Sequence, residues 1–299
     1  MDPLLIVAGL GVGLLVGMTG MGGGSLMTPV LILLFGTAPT TAIGSDIAYA
    51  AITKTVGGWR HFRLRTVNLP LSLWLAVGSV PAAIAGVWVI SLLHRAYGDS
   101  FDDIVLTMLA IALVLVGLLV LIRALFIPQV ARFERDSFEL SRGQKVAAVG
   151  IGASTGFVIG ITSAGSGTLI AVFLIAFYRL TPRRVVGTDV FHAAILLWAA
   201  GIAHVVDGNV DFGIVGTILL GSIPGIWIGS HLTVRLPTGL LRNALGLVMV
   251  LSALALFHKA GIELPLALVI ALPVVLAAAL VAQALVRRVR AVDAASSPS

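Results

Sequence analysis

Long apolar runs separated by short polar loops occupy almost the whole of the 299-residue chain. They lie near 3–18, 26–35, 43–59, 69–92, 104–127, 146–162, 168–178, 187–206, 213–234, 239–257 and 263–286. A helix needs about 20 apolar residues to cross a bilayer. Two runs, 26–35 and 168–178, are too short for this, and we expect each to form a hairpin with the run before it. The pattern predicts an all-α, polytopic membrane protein.

The composition supports a membrane protein and excludes several other classes. Hydrophobic residues make up 59% of the chain and charged residues 11%, against about 25% charged residues in globular domains. The net charge of +6 does not indicate nucleic-acid binding, because most Lys and Arg residues lie in short loops, where they orient membrane helices. The absence of cysteine excludes disulfides and thiol chemistry. The acidic N-terminus, with Asp2, does not resemble a removable signal peptide.

Two glycine-rich breaks interrupt the apolar runs, at 19–25 and 162–168. Irregular backbone at membrane depth is tolerated only inside protein or beside a water-filled cavity. A short helix that begins after such a break directs free N–H groups at a bound anion, and neighbouring hydroxyls supply further donors. The predicted substrate-binding residues are Thr19, Gly22, Gly23, Gly24 and Ser25 in the first break, and Thr162, Ser163, Gly165, Ser166, Gly167 and Thr168 in the second. The alternative is that these glycines only allow close helix packing.

An internal repeat relates the two breaks. An offset of 143 superimposes residues 13–86 on 156–229 without a gap. Matched pairs include Gly13 and Gly156, Gly17 and Gly160, Asp46 and Asp189, His61 and His204, and Pro81 and Pro224. We therefore predict a first transmembrane repeat over 1–127, a cytoplasmic linker over 128–145 and a second repeat over 146–258. An extra transmembrane helix over 259–287 and a disordered cytoplasmic tail over 288–299 follow.

Loop charges predict that the two repeats have opposite orientations. The loop at 58–68 contains three arginines and is therefore assigned to the cytoplasm. Its counterpart at 207–212 contains Asp207 and Asp211 and is assigned outside. Each repeat would contribute one broken hairpin and three spanning helices, with the N-terminus outside and the C-terminus cytoplasmic. Inverted repeats of this kind are typical of secondary transporters, which bind substrate near the midplane where the repeats meet.

Lys54 is the one cation that we predict deep within a span, and its counterpart in the second repeat is Leu197. Charged side chains in a membrane are costly and usually face a cavity or a partner. Lys54 is therefore a candidate for the fixed positive charge that attracts an anion. The alternatives are that it pairs with a nearby carboxylate or extends toward the loop at 58–68.

Asp46 and Asp189 are the only acids predicted inside spans, and each is a candidate coupling or gating residue. One hypothesis is that a carboxylate here couples transport to protons. The alternative is structural, because each follows Gly-Ser or Gly-Thr near a predicted helix start, where a carboxylate caps free N–H groups. His192 lies three residues beyond Asp189, a spacing at which side chains on a helix touch. The two could relay protons or only satisfy each other.

Several of these motifs together resemble the TauE/SafE-type sulfite exporter family, also called toluene-sulfonate uptake permeases. The motifs are the glycine-rich run 17–29, Ile43-Gly44-Ser45-Asp46, Thr53-Lys54, Gly58-Trp59-Arg60-His61, Val186-Gly187-Thr188-Asp189-Val190, Phe191-His192-Ala193, and Gly201 with His204. The resemblance implies a multi-pass bacterial inner-membrane protein that moves small sulfur-containing anions, such as sulfite or organosulfonates, often outward. Ser163, Ala164 and Ser166 replace Gly20, Met21 and Gly23 in the second break, so the two breaks need not contribute equally.

The favoured hypothesis is an exporter of such anions that alternates access around the two breaks, with proton coupling as an option. A passive anion channel and an integral membrane enzyme are the alternatives. The sequence supplies no convincing set of catalytic residues, and no GxxxxGK[ST] motif that would indicate ATP drive. A metal site would need more ligands at tighter spacing, so neither metal nor cofactor is expected. The expected partners are the lipid bilayer and the anion, not nucleic acid. The sequence gives no oligomeric state.

Overall fold

The computed structural model describes residues 2–19, 24–126, 140–167, 169–232 and 238–265, together with 267, 269, 271–276 and 278. The regular structure of this part is helical, which confirms the all-α prediction. Its α-helices are α1 Pro3–Thr19, α2 Gly24–Leu34, α3 Pro39–Arg63, α4 Leu69–Tyr97, α5 Phe101–Phe126, α6 Arg142–Thr162, α7 Leu169–Tyr178, α8 Pro182–Val206, α9 Phe212–Leu232 and α10 Thr238–Lys259.

Five helices in the described residues are long and apolar enough to cross a bilayer, namely α4, α5, α6, α8 and α9. The chain is thus a polytopic membrane protein. Helices α2 and α7 contain only 11 and 10 residues, as the short runs predicted. Helix α3 has 25 residues but also contains Asp46, Lys54, Arg60 and Arg63, which make it more polar than the other long helices.

The predicted starts of three helices, α3, α6 and α8, were wrong by four or five residues. Helix α3 begins at Pro39 instead of near 43, and α8 begins at Pro182 instead of near 187. Polar residues follow each proline and hid the start, although proline suits the first turn of a helix. Helix α6 begins inside the predicted linker, where the Ser141 hydroxyl accepts a hydrogen bond from the Gln144 N–H. Most of that linker, much of the predicted helix at 259–287 and the whole tail lie outside the described residues.

Glycines bring the helices of the two halves into backbone contact. Helix α1 packs along α9, and α4 packs along α6. A Cβ atom on Gly13 would lie 2.7 Å from the Cα of Ser222, and one on Gly156 would lie 2.6 Å from the Cα of Ser79. The second contact is the repeat counterpart of the first, because Gly156 matches Gly13 and Ser79 matches Ser222 at the offset of 143. The packing therefore obeys the internal repeat, while the opposite membrane orientations of the halves stay a prediction.

Two matched hydrogen bonds connect the loops of one half to helices of the other. The Asn68 N–H donates to the Thr188 hydroxyl at 2.9 Å. The Asp211 N–H donates to the Ser45 hydroxyl, also at 2.9 Å. Asn68 and Asp211 are counterparts in the repeat, as are Ser45 and Thr188. These bonds attach α8 to the residue before α4 and α3 to the residue before α9, at the positions that directly precede the buried acids Asp189 and Asp46.

Candidate functional site

The two glycine-rich breaks meet in the protein interior. Ser25 is the last residue of the first break and the second residue of α2, and its hydroxyl accepts a hydrogen bond from the N–H of Gly165 in the second break at 2.9 Å. Both residues are buried. The structure thus brings together two segments that lie 140 residues apart in the chain. Of the predicted binding residues, Gly22, Gly23 and Thr168 lie outside the described residues.

The second break has the irregular backbone that the sequence predicts. Ser163 ends α6 in the left-handed conformation with φ of 57°, and Gly165 has φ of 93°. A left-handed backbone is cheap for glycine but disfavoured for serine. Ser166 lies in the same turn, and its buried hydroxyl has no hydrogen-bond partner among the described residues.

Thr19 and Thr162, the threonines of the breaks that the structure describes, form hydrogen bonds within their own helices. The Thr19 hydroxyl donates to the Leu15 carbonyl at 2.7 Å, and the Thr162 hydroxyl donates to the Val158 carbonyl at 2.7 Å. The two bonds are counterparts in the repeat. They direct the hydroxyl hydrogens back into α1 and α6, so these two hydroxyls are already used as donors within their own helices.

Asp46 lies where α2, α3 and the second break converge, and it is fully buried. Its Oδ2 accepts hydrogen bonds from Thr28 at 2.6 Å and from Ser163 at 3.0 Å, and the two hydroxyl oxygens lie 2.6 Å apart. The interpretation of Asp46 as a cap of its own helix is wrong, because α3 begins at Pro39, two turns earlier. Asp46 instead joins residues of both halves.

Lys54 and Asp189 form a buried ion pair between α3 and α8, with 3.9 Å between Nζ and Oδ2. Their side chains are 7% and 4% exposed. The expected alternative, in which Lys54 pairs with a carboxylate, is therefore confirmed. Asp189 is also not a cap of α8, which begins at Pro182. Lys54 Nζ has no hydrogen bond to any described residue, so its N–H donors are available to a ligand.

His192 has a partner that the sequence did not indicate. Its Nε2 lies 2.8 Å from the hydroxyl of Ser79 on α4. The counterparts of this pair are Tyr49 and Ser222, which lie beside each other across α3 and α9. The matched Gly-Ser runs at 78–79 and 221–222 could have indicated these two contacts. The contacts were hidden in the sequence because the counterpart of His192 is a tyrosine, Tyr49.

The two acids occupy matched positions but have different surroundings. Asp46 contacts the hydroxyls of Thr28 and Ser163, whose counterparts are Ala171 and Gly20. Asp189 faces Lys54, whose counterpart is Leu197. One centre is therefore a carboxylate among neutral donors, and the other is a carboxylate with a cation.

Metal ligands are not grouped in the part of the chain that the structure describes. No set of three or more His, Cys, Asp or Glu side chains lies close enough to hold an ion there. The buried polar side chains among the described residues are instead hydroxyls, two acids, one lysine, one asparagine and two histidines.

The fold and this interior define a polytopic membrane protein with buried polar centres at the interface of its two halves. A model of the family described as Sulfite exporter TauE/SafE matches residues 5–256, and the chain belongs to this family. It is 38% identical to the probable membrane transporter protein YjnA of Bacillus subtilis (strain 168), over 86% of this chain and 100% of the relative. It is 27% identical to the probable membrane transporter protein YdhB of the same strain, over 85% of this chain and 99% of the relative.

No solved structure matches the chain. The family and the names of the relatives indicate a membrane transporter and not an enzyme. The family resemblance inferred from the motifs is thereby confirmed.

Proposed function

We propose that this transporter exports small sulfur-containing anions, such as sulfite or organosulfonates, by alternating access between its two halves. The observation that carries the proposal is the contact between the two breaks, in which the Gly165 N–H donates to the Ser25 hydroxyl at 2.9 Å. The name of the family supports a sulfur oxyanion. The proposed location is a bacterial inner membrane, with the N-terminus outside and the C-terminus in the cytoplasm, as the loop charges predict.

The proposed anion site combines the breaks with Lys54. Oxyanions are bound by backbone N–H groups, hydroxyls and cations, and Ser25, Ser163 and Ser166 supply buried hydroxyls. Lys54 is the only buried lysine or arginine among the described side chains. Its 3.9 Å separation from Asp189 is long for an ion pair and leaves its donors unused. An anion that enters would therefore compete with Asp189 for the Lys54 ammonium group.

We assign proton coupling to Asp46 in preference to Asp189, on a count of hydrogen atoms. Thr28, Ser163 and Asp46 Oδ2 form a triangle with three short oxygen–oxygen contacts. When Asp46 is ionised, the two hydroxyls supply only two hydrogens for these three contacts. A proton on Asp46 would supply the third hydrogen. The three hydrogen bonds would then connect Thr28 and Asp46 of the first half to Ser163 of the second half. Asp189 already has a cation beside it. His192 remains a candidate relay residue.

Reconstitution into proteoliposomes tests the proposal. Vesicles loaded with unlabelled sulfite should accumulate labelled sulfite from outside, and the initial rate should saturate as the sulfite concentration rises. Chloride and phosphate at equal concentration should compete poorly. A carrier gives this counterflow because one site faces the two sides in turn.

A purely ohmic conductance without counterflow would indicate the passive channel instead. Tight binding of metals with no binding of sulfite, thiosulfate or sulfonates would overturn the choice of substrate. Protein that carries Asp102→Asn, an exposed acid at the start of α5, is a matched control that should transport normally.

A further inference from the structure

A cleft of about 420 Å³ lies between the end of α3 and the start of α8. It is lined by Trp59, Phe62, Arg63, Arg65, Val67 and Arg184. Three of these six residues are arginines, and two are aromatic. Such a lining combines binding groups for an anion with an apolar wall.

Two of the three arginines of this cleft are held in place by contacts with other residues, and none of the three has a carboxylate partner among the described residues. The Arg63 guanidinium carbon lies 5.0 Å from the centre of the Trp59 ring, over its face. The Arg184 Nη1 donates to the Val67 carbonyl at 3.1 Å. None of the three arginines pairs with a carboxylate in the described part of the chain. Guanidinium groups bind phosphate oxygens through paired N–H donors, so the cleft has unused capacity for a phosphate.

The aromatic wall continues from the cleft along the outside of the helix bundle. Trp59 stacks on Phe62 with 6.3 Å between ring centres, and Phe62 stacks on Phe191 with 5.7 Å. Trp59 is 59% exposed and Phe62 is 43% exposed. Exposed tryptophan near the end of a membrane helix is typical of the level of the lipid headgroups. The apolar wall therefore faces lipid.

The internal repeat provides a comparison for this cleft. Arg65 has φ of 53° and its counterpart Gly208 has φ of 77°, in the same turn, closed by Arg65 N–H to Phe62 O at 3.0 Å and Gly208 N–H to Val205 O at 3.1 Å. This conformation favours glycine, yet the first half has an arginine there. The counterparts of Arg63 and Arg184 are Val206 and Thr41. The cationic cleft is thus confined to one of the two matched corners.

We infer that this cleft is a binding site for an anionic membrane phospholipid. The arginines hold the phosphate group, and the acyl chains lie along the wall of Trp59, Phe62 and Phe191. A free anion would need the arginines but not a continuous exposed aromatic wall beside them. The site is independent of the proposed transport substrate, and it lies on the face that the loop charges assign to the cytoplasm.

Native mass spectrometry of the purified full chain in detergent tests this site. The probes are phosphatidylglycerol, phosphatidylcholine with the same acyl chains, and inorganic phosphate. We expect tighter binding of phosphatidylglycerol than of phosphatidylcholine. Each cleft variant, Arg63→Gln, Arg65→Gly or Arg184→Gln, should weaken phosphatidylglycerol binding about fivefold, the usual effect of one basic residue at an anionic membrane surface. The control Arg60→Gln removes a charge from the same helix end but outside the cleft and should leave binding within about twofold.

The variant Arg65→Gly separates binding from folding. Glycine suits the backbone at this position, so this variant should unfold no more readily than the parent while it loses lipid affinity. Equal binding of the two lipids, or an equal loss with Arg60→Gln, would overturn the site. The site would also be overturned if millimolar inorganic phosphate displaced phosphatidylglycerol and the protein retained phosphate as well as it retained the lipid. The cleft would then be a site for soluble anions.

Discussion

The buried pair of Lys54 and Asp189 allows a quantitative test of the interface between α3 and α8. The perturbations are Lys54→Leu, Asp189→Leu and the two combined. Leucine is the residue that the second half has at the position matching Lys54, namely Leu197. The single changes leave one buried charge without its partner, and the double change leaves none.

The distance and burial set the expected magnitudes. At 3.9 Å, two unit charges attract by about 4 kcal/mol for an effective dielectric constant of about 20. Removing one partner of a buried ion pair usually lowers the free energy of unfolding by about 3–5 kcal/mol, because the remaining charge is buried unpaired. Replacing both partners with apolar residues is often nearly neutral. We therefore expect each single variant to lose about 3–5 kcal/mol and the double variant to lose less than about 1 kcal/mol.

The free energy of unfolding in detergent and sulfite counterflow in vesicles are the two measurements. Stability should return in the double variant, whereas counterflow should not, because Lys54 is also the proposed contact of the anion. Arg142→Leu, at the exposed start of α6, is the control and should change stability by no more than about 1 kcal/mol. If the double variant loses as much stability as the two single variants together, the pair is not coupled. If it transports at the parental rate, Lys54 does not bind the anion.

Three further predictions concern coupling, packing and topology. Asp46→Asn should keep sulfite counterflow but abolish the dependence of net transport on the pH gradient. The control Asp102→Asn should retain that dependence. If net transport by Asp46→Asn still depends on the pH gradient, our assignment of proton coupling to Asp46 is contradicted. Gly156→Ala should lower the free energy of unfolding by about 1–3 kcal/mol, because the added Cβ would overlap the backbone of α4. The control Gly150→Ala should not lower it, because Gly150 faces open space. Cysteines introduced into this cysteine-free chain at Asp102 and Arg184 should label from opposite sides of the membrane; labelling from one side would refute the inverted topology.

The hydrophobic pattern and the repeat predicted much of the fold. Residues such as Gly13 and Gly156 stood out because matched glycines are rare coincidences, whereas matched apolar residues are not. The structure shows why the match matters, since each glycine touches the backbone of a helix in the other half. The starts of α3 and α8 were less predictable, because polar side chains after a proline look like a loop when only hydrophobicity is considered.

The surroundings of the acids could be predicted only in part. Thr28 and Ser163 lie 18 and 117 residues from Asp46 in sequence, and no local pattern joins them. Thr28 was visible as a hydroxyl within an apolar run, but its partner depends on how α2 packs. The pairing of Lys54 was one of several alternatives, because a buried lysine needs a partner and the sequence does not say which carboxylate can reach it.

The packing of α1 against α9 has a consequence for synthesis. Gly9, near the N-terminus, meets the backbone of Ile218, a residue that the ribosome adds more than 200 residues later. At about 5–20 residues per second, α1 waits roughly 10–40 s for its partner. During that interval its glycine face is covered only by lipid or by the cellular insertion machinery. The first half is therefore finished only when the second half has been made, and neither half is a complete folding unit.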